Sequence, residues 1–389
     1  MDNLSKNKPL AIAMPERIDA ENAEAFRDQV LSLVRESGDT LVILKGEDLK
    51  YISSAGLRTL LYLHRHLSGM FVTGVSQEVY NILEMTGFTE ILPIEKAPRC
   101  LSIEGCPLIG TGAKADVYRY DAETVIKVYH RANALPAIRQ ERELARKAFI
   151  LGLPTAISYD VVRVGDRYGS VFELLDADSL STEIREHPEK FEEYVRLFAD
   201  LLRDIHAVRV APGDMPDIRL LIGQWVTADE SYLEAEDYGK LCRLIEEVPV
   251  SHTLIHGDYH TGNVLLQKKE ALLIDMDTLS YGHPVFELAN VYLALVGFGE
   301  LAPDYVEHFI GLPYETTCRI WQRFLPLYLQ SSDPDLLKDV EEKTRLLSYV
   351  RLLRHTVRRD TESEKARETI ALCRDRISGL LKTIDSLTW

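Results

Sequence analysis

The chain has 389 residues, enough for two or three domains of ordinary size. Its 46 % apolar and 27 % charged residues match globular usage, which excludes a wholly disordered or collagen-like chain. A formal net charge of −16 leaves no surplus of Lys and Arg to neutralise phosphates, so nucleic acid is not expected as a partner.

Residues 20–36 are predicted to form an amphipathic helix. Ala23, Phe26, Val30, Leu33 and Val34 recur at spacings of three and four, and Asp19 precedes them as N-cap. Residues 41–44 are a continuous apolar run that suits a buried strand. In the following segment, YISSAGLRTLLYLHRHL, Leu57, Leu60, Leu61, His64 and Leu67 mark one helical face. That places Ser53 or Ser54 at a helix start. Residues 71–73 read as another short strand, and residues 77–86 as a helix ended by Gly87. Strand and helix alternate, which predicts an α/β sandwich of ~100 residues.

RIDAENAEAF, LKYISSAGLRTLL and GVSQEVYNILEMTGF resemble the STAS domain, the fold of anti-sigma factor antagonists. The resemblance implies a regulatory or interaction module with a protein partner. It also implies a phosphorylation switch at the serine of the helix start, here Ser54, although Ser53 stands where many members carry Asp. Two roles for Ser54 stay open. Serine caps a helix, worth about 1 kcal/mol, and a phosphate there meets free N–H groups and the positive end of the dipole.

EKAPRCLSIEGCP, with Pro98 and Pro107 at its flanks, is the clearest change of character along the chain, and both sides of it are acidic. Next comes PLIGTGAKADVYRYDAETVIKVY, in which residues 117–120 and 124–129 are strand-like around an Asp121-Ala122-Glu123 turn. A turn centred on Ala122 sets Val117 opposite Lys127. Lys127 is then a cation in an apolar strand beside Gly110 and Gly112. Glycines let backbone N–H groups approach phosphate, and lysine adds a point charge. The pattern lacks both the helix of a dinucleotide fingerprint and the G-K-[ST] of a Walker loop. A tight hairpin with a snorkelling lysine accounts for it as well.

Residues 252–277, HTLIHGDYHTGNVLLQKKEALLIDMD, contain two apolar runs around a Lys268-Lys269-Glu270 turn. Centring the turn on Lys269 sets Asn263 opposite Asp275, with Asp258 in the loop five residues earlier. The hairpin end then gathers hard oxygen ligands of the kind Mg²⁺ takes together with substrate phosphates. Asp258 is left to accept the proton of an attacking hydroxyl. His260 reads as a packing and hydrogen-bonding residue.

HGDYHTGN and LLIDMD resemble the catalytic segments of the aminoglycoside phosphotransferase and choline kinase families, small-molecule relatives of protein kinases. LIGTGAKADVYRY and VIKVY resemble the nucleotide loop and lysine strand of those families, and IRQERELARKAFILGLPTA their C-helix. VFELLDADSL resembles the interlobe hinge. GHPVFELANVY is similar to GDPxxDLA, with His283 and Glu287 in place of two aspartates. The resemblance implies a two-lobed α+β kinase-like fold after the STAS-like sandwich. The expected domains are 1–98, an N-lobe over 99–180 and a helical C-lobe over 181–389.

It also implies an ATP- and Mg²⁺-dependent phosphotransferase. In it Lys127 holds phosphates and Glu141 orients Lys127, with Glu143 as fallback. Glu173 begins the adenine segment, Asp258 is the catalytic base, and Asn263 and Asp275 hold Mg²⁺. Asp277 is an additional candidate ligand. Only six residues separate Asp275 from Gly282, too few for a peptide-docking segment, so a small hydroxylated acceptor is expected. The alternatives are a signalling protein serine kinase and a nucleotide-sensing adaptor acting through the STAS-like part.

The acidic stretch 228–237 and the row Arg351, Arg354, Arg358 read as solvated helix faces. The cysteines Cys100, Cys106, Cys242, Cys318 and Cys373 show no C-x-x-C spacing, which fits a reducing cytoplasm and no structural zinc. No apolar run approaches the ~18 residues of a membrane span, and the first residues lack a signal-peptide core. A cytoplasmic location without membrane contact is expected.

Overall fold

A computed structural model describes residues 9–37, 41–112, 114–156, 158–268 and 270–389. The chain falls into two compact units, one running to Ser102 and taking in Val162–Gly165, the other Ile103–Val161 with Asp166–Trp389.

In the first unit the strands Leu10–Ala13, Val42–Lys45, Met70–Val75 and Ile94–Lys96 lie side by side in that order, all parallel. The helices Ala23–Ser37, Ser54–His66 and Gln77–Met85 connect them. Ile12, Phe26, Val30, Val42, Leu44, Leu60, Leu63, Val72 and Leu83 are buried together as its core. This is the α/β sandwich the alternation predicts.

Two details differ from the periodicity. On the Ser54–His66 helix and its C-cap, Leu60 is buried and Leu57, Leu61 and Leu67 pack on the core as expected, but the buried positions also include Gly56, Thr59 and Leu63. Gly56 packs so tightly on Ile18 that an added Cβ would stand 2.7 Å from its carbonyl oxygen. Thr59 satisfies its hydroxyl on the Ala23 carbonyl at 3.2 Å, which lets a polar residue enter the buried face. Asp19 does not directly precede the first helix. Its carboxylate accepts from the Glu21 N–H at 3.1 Å in a turn, and the helix starts at Ala23.

The second unit begins with antiparallel strands. Leu108–Thr111 pairs with Ala115–Arg119, which pairs with Thr124–Tyr129, which pairs with Arg167–Glu173. Val117 lies opposite Lys127, as the Ala122-centred turn predicts. The Leu135–Ile150 helix follows. The rest is mostly helical, with Phe191–Ala207, Val285–Tyr292, Tyr314–Leu329, Pro334–Arg359 and Glu364–Leu381 as its main helices. Phe198, Tyr259, Val264, Leu273, Leu288 and Phe324 share one buried apolar cluster, so the core itself holds the hairpin that carries the site. Among the described residues no helix is long and apolar enough to cross a membrane.

Candidate active site

The strand pair Val264–Gln267 and Glu270–Leu273 sets Val264 opposite Leu273 and Gln267 opposite Glu270. The register is one residue shorter than a Lys269-centred turn gives. Gln267 and Glu270 are the last pair before the loop. Lys268 takes φ 50°, the left-handed conformation of tight two-residue hairpin turns, and Lys269 lies outside the described residues. Asn263 consequently meets Ile274, whose N–H donates to the Asn263 carbonyl at 3.1 Å. A one-residue slip turns side chains to the opposite face. Asp275 breaks out of that alternation with φ 60° and ψ 63°. A non-glycine residue held there is strained by about 1–3 kcal/mol, a cost found mostly at functional sites.

The Asp275 carboxylate meets Lys127 across the cleft, with Nζ to Oδ1 at 2.5 Å. Lys127 also donates to Glu141 Oε1 at 3.0 Å, and the Tyr129 hydroxyl donates to Glu141 Oε2 at 2.6 Å. Glu141 is buried, whereas Glu143 faces outward and pairs with Arg146 at 3.0 Å, so Glu141 makes the lysine pair. Burial by itself lowers the Lys127 ammonium, but Asp275 and Glu141 outweigh it and hold it well above the ordinary lysine value. Burial likewise raises the Asp275 carboxyl, and the Lys127 charge outweighs this and leaves it below the usual range. Both groups are held ionised.

Asp258 lies at the same place. Asn263 Nδ2 donates to the Asp258 carbonyl at 2.9 Å and lies 3.5 Å from its carboxylate, so the amide oxygen of Asn263 is left as acceptor. The backbone of the Asp258 loop is fixed from several sides. Gly257 takes φ +84°, and a Cβ on it would stand 2.5 Å from the Thr278 carbonyl oxygen, so the position requires glycine. Glu287, fully buried, accepts from the N–H groups of His256 at 2.5 Å and Gly257 at 3.0 Å. Burial pushes the Glu287 carboxyl up, but the neighbouring His206 and His256 rings and the Gly257 N–H outweigh it and hold it below its ordinary value. Asn290 and Arg351 donate to the Gly257 carbonyl at 2.7 and 2.8 Å. His256 Nδ1 accepts from the Asp258 N–H at 3.3 Å, so its Nε2 carries the proton and donates to the Ile274 carbonyl at 3.2 Å.

The expectation of solvated faces is corrected here, and the other singled-out residues are placed. Arg351 and Arg354 are not a solvated face. Arg351 supports Gly257, and Arg354 pairs at 2.8 Å with Asp229, itself buried although it belongs to the acidic stretch; Arg358 is exposed. Gly110 and Gly112 both have ordinary backbone angles. Gly112 closes the loop turn by donating to the Ala115 carbonyl at 2.9 Å. Glu173 is exposed at the end of its strand, bonded to the Tyr159 hydroxyl at 3.3 Å, and does not join the cluster. His283, in place of an aspartate, accepts from the Val285 N–H at 3.2 Å, and burial lowers it to about 4, so it caps as a neutral ring. His260 is buried, accepts the Gly262 N–H at 3.1 Å and packs on Phe309 with ring centroids 5.0 Å apart.

In the first unit the capping hydroxyl belongs to Ser53, which accepts from the Ala55 N–H at 3.2 Å. Ser54 is the first helical residue, and it is exposed.

Residues that the sequence reading missed as site components include Tyr129, Asn290 and Thr278. Only Tyr129 left a signal, two residues beyond Lys127 on the same strand face.

Residues 4–99 match the STAS domain, and residues 106–321 match the phosphotransferase enzyme family. No curated protein is significantly similar to the chain. The crystal structure of the aminoglycoside phosphotransferase APH(2'')-Ib with ADP bound is similar in fold, with a TM-score of 0.50 at 14 % identity. That match covers 71 % of this chain and 94 % of the other. A thermostable mutant of the aminoglycoside phosphotransferase APH(4)-Ia, in its apo form, has a TM-score of 0.49 at 14 % identity over 72 % of this chain and 94 % of its own. The second unit thus has a kinase-like aminoglycoside phosphotransferase fold, and by the match over more than half its length the chain belongs to the phosphotransferase enzyme family, with an N-terminal STAS domain.

Proposed function

We propose that the second unit transfers the γ-phosphoryl group of ATP to a hydroxyl of a small molecule. The observation that carries this is the chain of contacts from Glu141 through Lys127 to Asp275, at the hairpin end that also bears Asp258 and Asn263. In this reading Lys127, held by Glu141, binds nucleotide phosphates. Asp258 accepts the acceptor's hydroxyl proton while the new O–P bond forms and the bond to the β-phosphate oxygen breaks. The donor set fits Mg²⁺: the Asp275 carboxylate and the free Asn263 amide oxygen are hard ligands. Among the described residues no group of three His, Cys, Asp or Glu forms a closed metal cage, in keeping with an ion that relies on substrate phosphates. When bound, the ion supplies electrostatic stabilisation of the phosphoryl oxygens.

A small acceptor suits the segment after Asp275. It runs through a short turn, Met276–Thr278, into the strand Ser280–Tyr281, which pairs with Leu254–Ile255, leaving no extended platform for a peptide. Gly110 and Gly112 form the loop over the phosphates in this reading, and the strand end at Glu173 gives backbone rather than a carboxylate to the adenine side.

Lys127→Met is expected to weaken Mg·ATP binding by tenfold or more without unfolding the chain. Calorimetric titration with AMP-PNP checks it, and an unchanged affinity would remove Lys127 from the site. The STAS domain is read as the regulatory module, with a protein partner and Ser54 as its modification position. Because Ser53 does the capping, a phosphate on Ser54 would leave the cap intact and face the helix N–H groups. The phosphate on Ser54 comes in cis or from a separate kinase; phosphosite mapping after incubation with Mg·ATP tests the cis form, and an unlabelled Ser54 in an active preparation would exclude it.

A further inference from the structure

The loop that carries Gly110 and Gly112 also carries a cation. Lys114 lies between the strands Leu108–Thr111 and Ala115–Arg119. Its carbonyl accepts from the His130 N–H at 2.9 Å, which ties its backbone to the end of the Lys127 strand. Its side chain runs to the opposite wall of the cleft and places Nζ on Asp277 Oδ2. Two lysines thus meet two carboxylates of one three-residue segment, Lys127 on Asp275 and Lys114 on Asp277.

The two pairs differ in kind. Lys127 is 20 % exposed and shares a second carboxylate, Glu141. Lys114 is 67 % exposed, and Asp277 is its one ion-pair partner among the described residues. An ion pair this exposed is screened by solvent and holds weakly, so an entering polyanion readily displaces the carboxylate. The position within the cleft also differs. The charges of Asp277, Asp275 and Asp258 all act on the Lys114 ammonium, whereas Asp275 and Glu141 are the carboxylates that dominate at Lys127. Lys114 thus reaches the Asp275–Asp277 segment from the glycine loop and stands within the field of Asp258, the group assigned to the acceptor hydroxyl.

We infer that Lys114 is a sensor of the terminal phosphate: tethered to Asp277 in the free chain, it exchanges that carboxylate for an oxygen of the nucleotide's γ-phosphate. The inference rests on the nucleotide reading of this same site. No bond is made or broken in the exchange; one ion pair replaces another, and Asp277 is released. Lys114 is thus a nucleotide-contacting residue of the glycine loop, and it gives the loop a means of telling triphosphate from diphosphate.

Calorimetric titration of the full chain with Mg·AMP-PNP and with Mg·ADP tests it, in the parent, Lys114→Met and Lys114→Arg. Lys114→Met is expected to weaken AMP-PNP binding tenfold or more and ADP binding less than twofold, with Lys114→Arg restoring most of the difference. Without nucleotide, hydrogen exchange of the Leu108–Arg119 hairpin is expected to be faster in Lys114→Met than in the parent. Equal changes for the two nucleotides, or none, in a parent that binds both would overturn the sensor alone. Unchanged exchange in the free chain would overturn the tether. A parent that binds neither nucleotide would overturn the nucleotide reading, and the sensor with it.

Discussion

Asp258→Asn is expected to lower turnover by about 10²–10⁴-fold, the usual weight of a positioned general base, while Mg·ATP binds within about threefold of the parent affinity. The side chains are isosteric, so what changes is the ability to take up a proton. The contacts assigned to binding, Lys127 with Glu141 and Asp275, involve neither Asp258 oxygen. The Asn263 bond to the Asp258 carbonyl at 2.9 Å is a backbone contact and survives the change. Single-turnover kinetics with parallel nucleotide titrations separate the two effects. A variant that transfers phosphate at near-parent rate would show that the proton goes elsewhere, and one that loses nucleotide binding equally would make Asp258 a binding group.

The second large effect is expected at Glu287, which lies outside the cleft chemistry. Its carboxylate accepts the N–H groups of His256 and Gly257, and all three residues are buried. Glu287→Gln keeps the shape but points an amide N–H₂ at one of these donors. A stranded buried donor costs about 1–3 kcal/mol, a fall of several degrees in Tm for a unit of this size. The loop bearing Asp258 shifts with it, so kcat falls too.

The pH dependence has a definite sign. The folded Glu287 pKa is depressed, so its contribution is complete above the ordinary glutamate value near ~4.3 and is lost as pH falls through the lower folded value. The parent is therefore expected to lose stability over that acid window more steeply than Glu287→Gln. Thermal unfolding from pH 7 to pH 3 checks both claims, and coincident curves would mean that Glu287 is not a support of the loop.

How much of this could be read from the residues depends on how local the cause is. The strand pair carrying Lys127 was legible because Asp121-Ala122-Glu123 is a short polar turn between β-branched runs, and its register follows from counting. The hairpin at Asn263 was legible as an element but not in register, because Lys268 adopts a positive φ that no turn-forming glycine or asparagine announces. The helix after Ser53 was legible, and so was most of the face it packs on the core, but two of its buried members were not. Gly56 and Thr59 enter the core through contacts with Ile18 and Ala23, made by a neighbouring element rather than by periodicity. Arg351 could not have been placed: it looks like one of a row of surface cations, and its partner is a backbone carbonyl 94 positions earlier in the chain. Spacing singled out Lys127, Asp258 and Asp275 and the family resemblance singled out Glu141, and in the structure Lys127 contacts both Glu141 and Asp275. The groups that hold them in place act through backbone atoms, which leave no signature in composition or period.

The central claim is phosphoryl transfer from ATP at Asp258, and phosphorus NMR of the parent and Asp258→Asn with Mg·ATP tests it most directly. The acceptor panel is aminoglycosides, choline, sugars and hydroxy amino acids. The account predicts loss of the γ-phosphate signal in the parent, a new phosphomonoester signal with at least one acceptor, and neither in the variant. ATP left intact by the parent under every condition, or consumed equally fast by parent and Asp258→Asn, would contradict it.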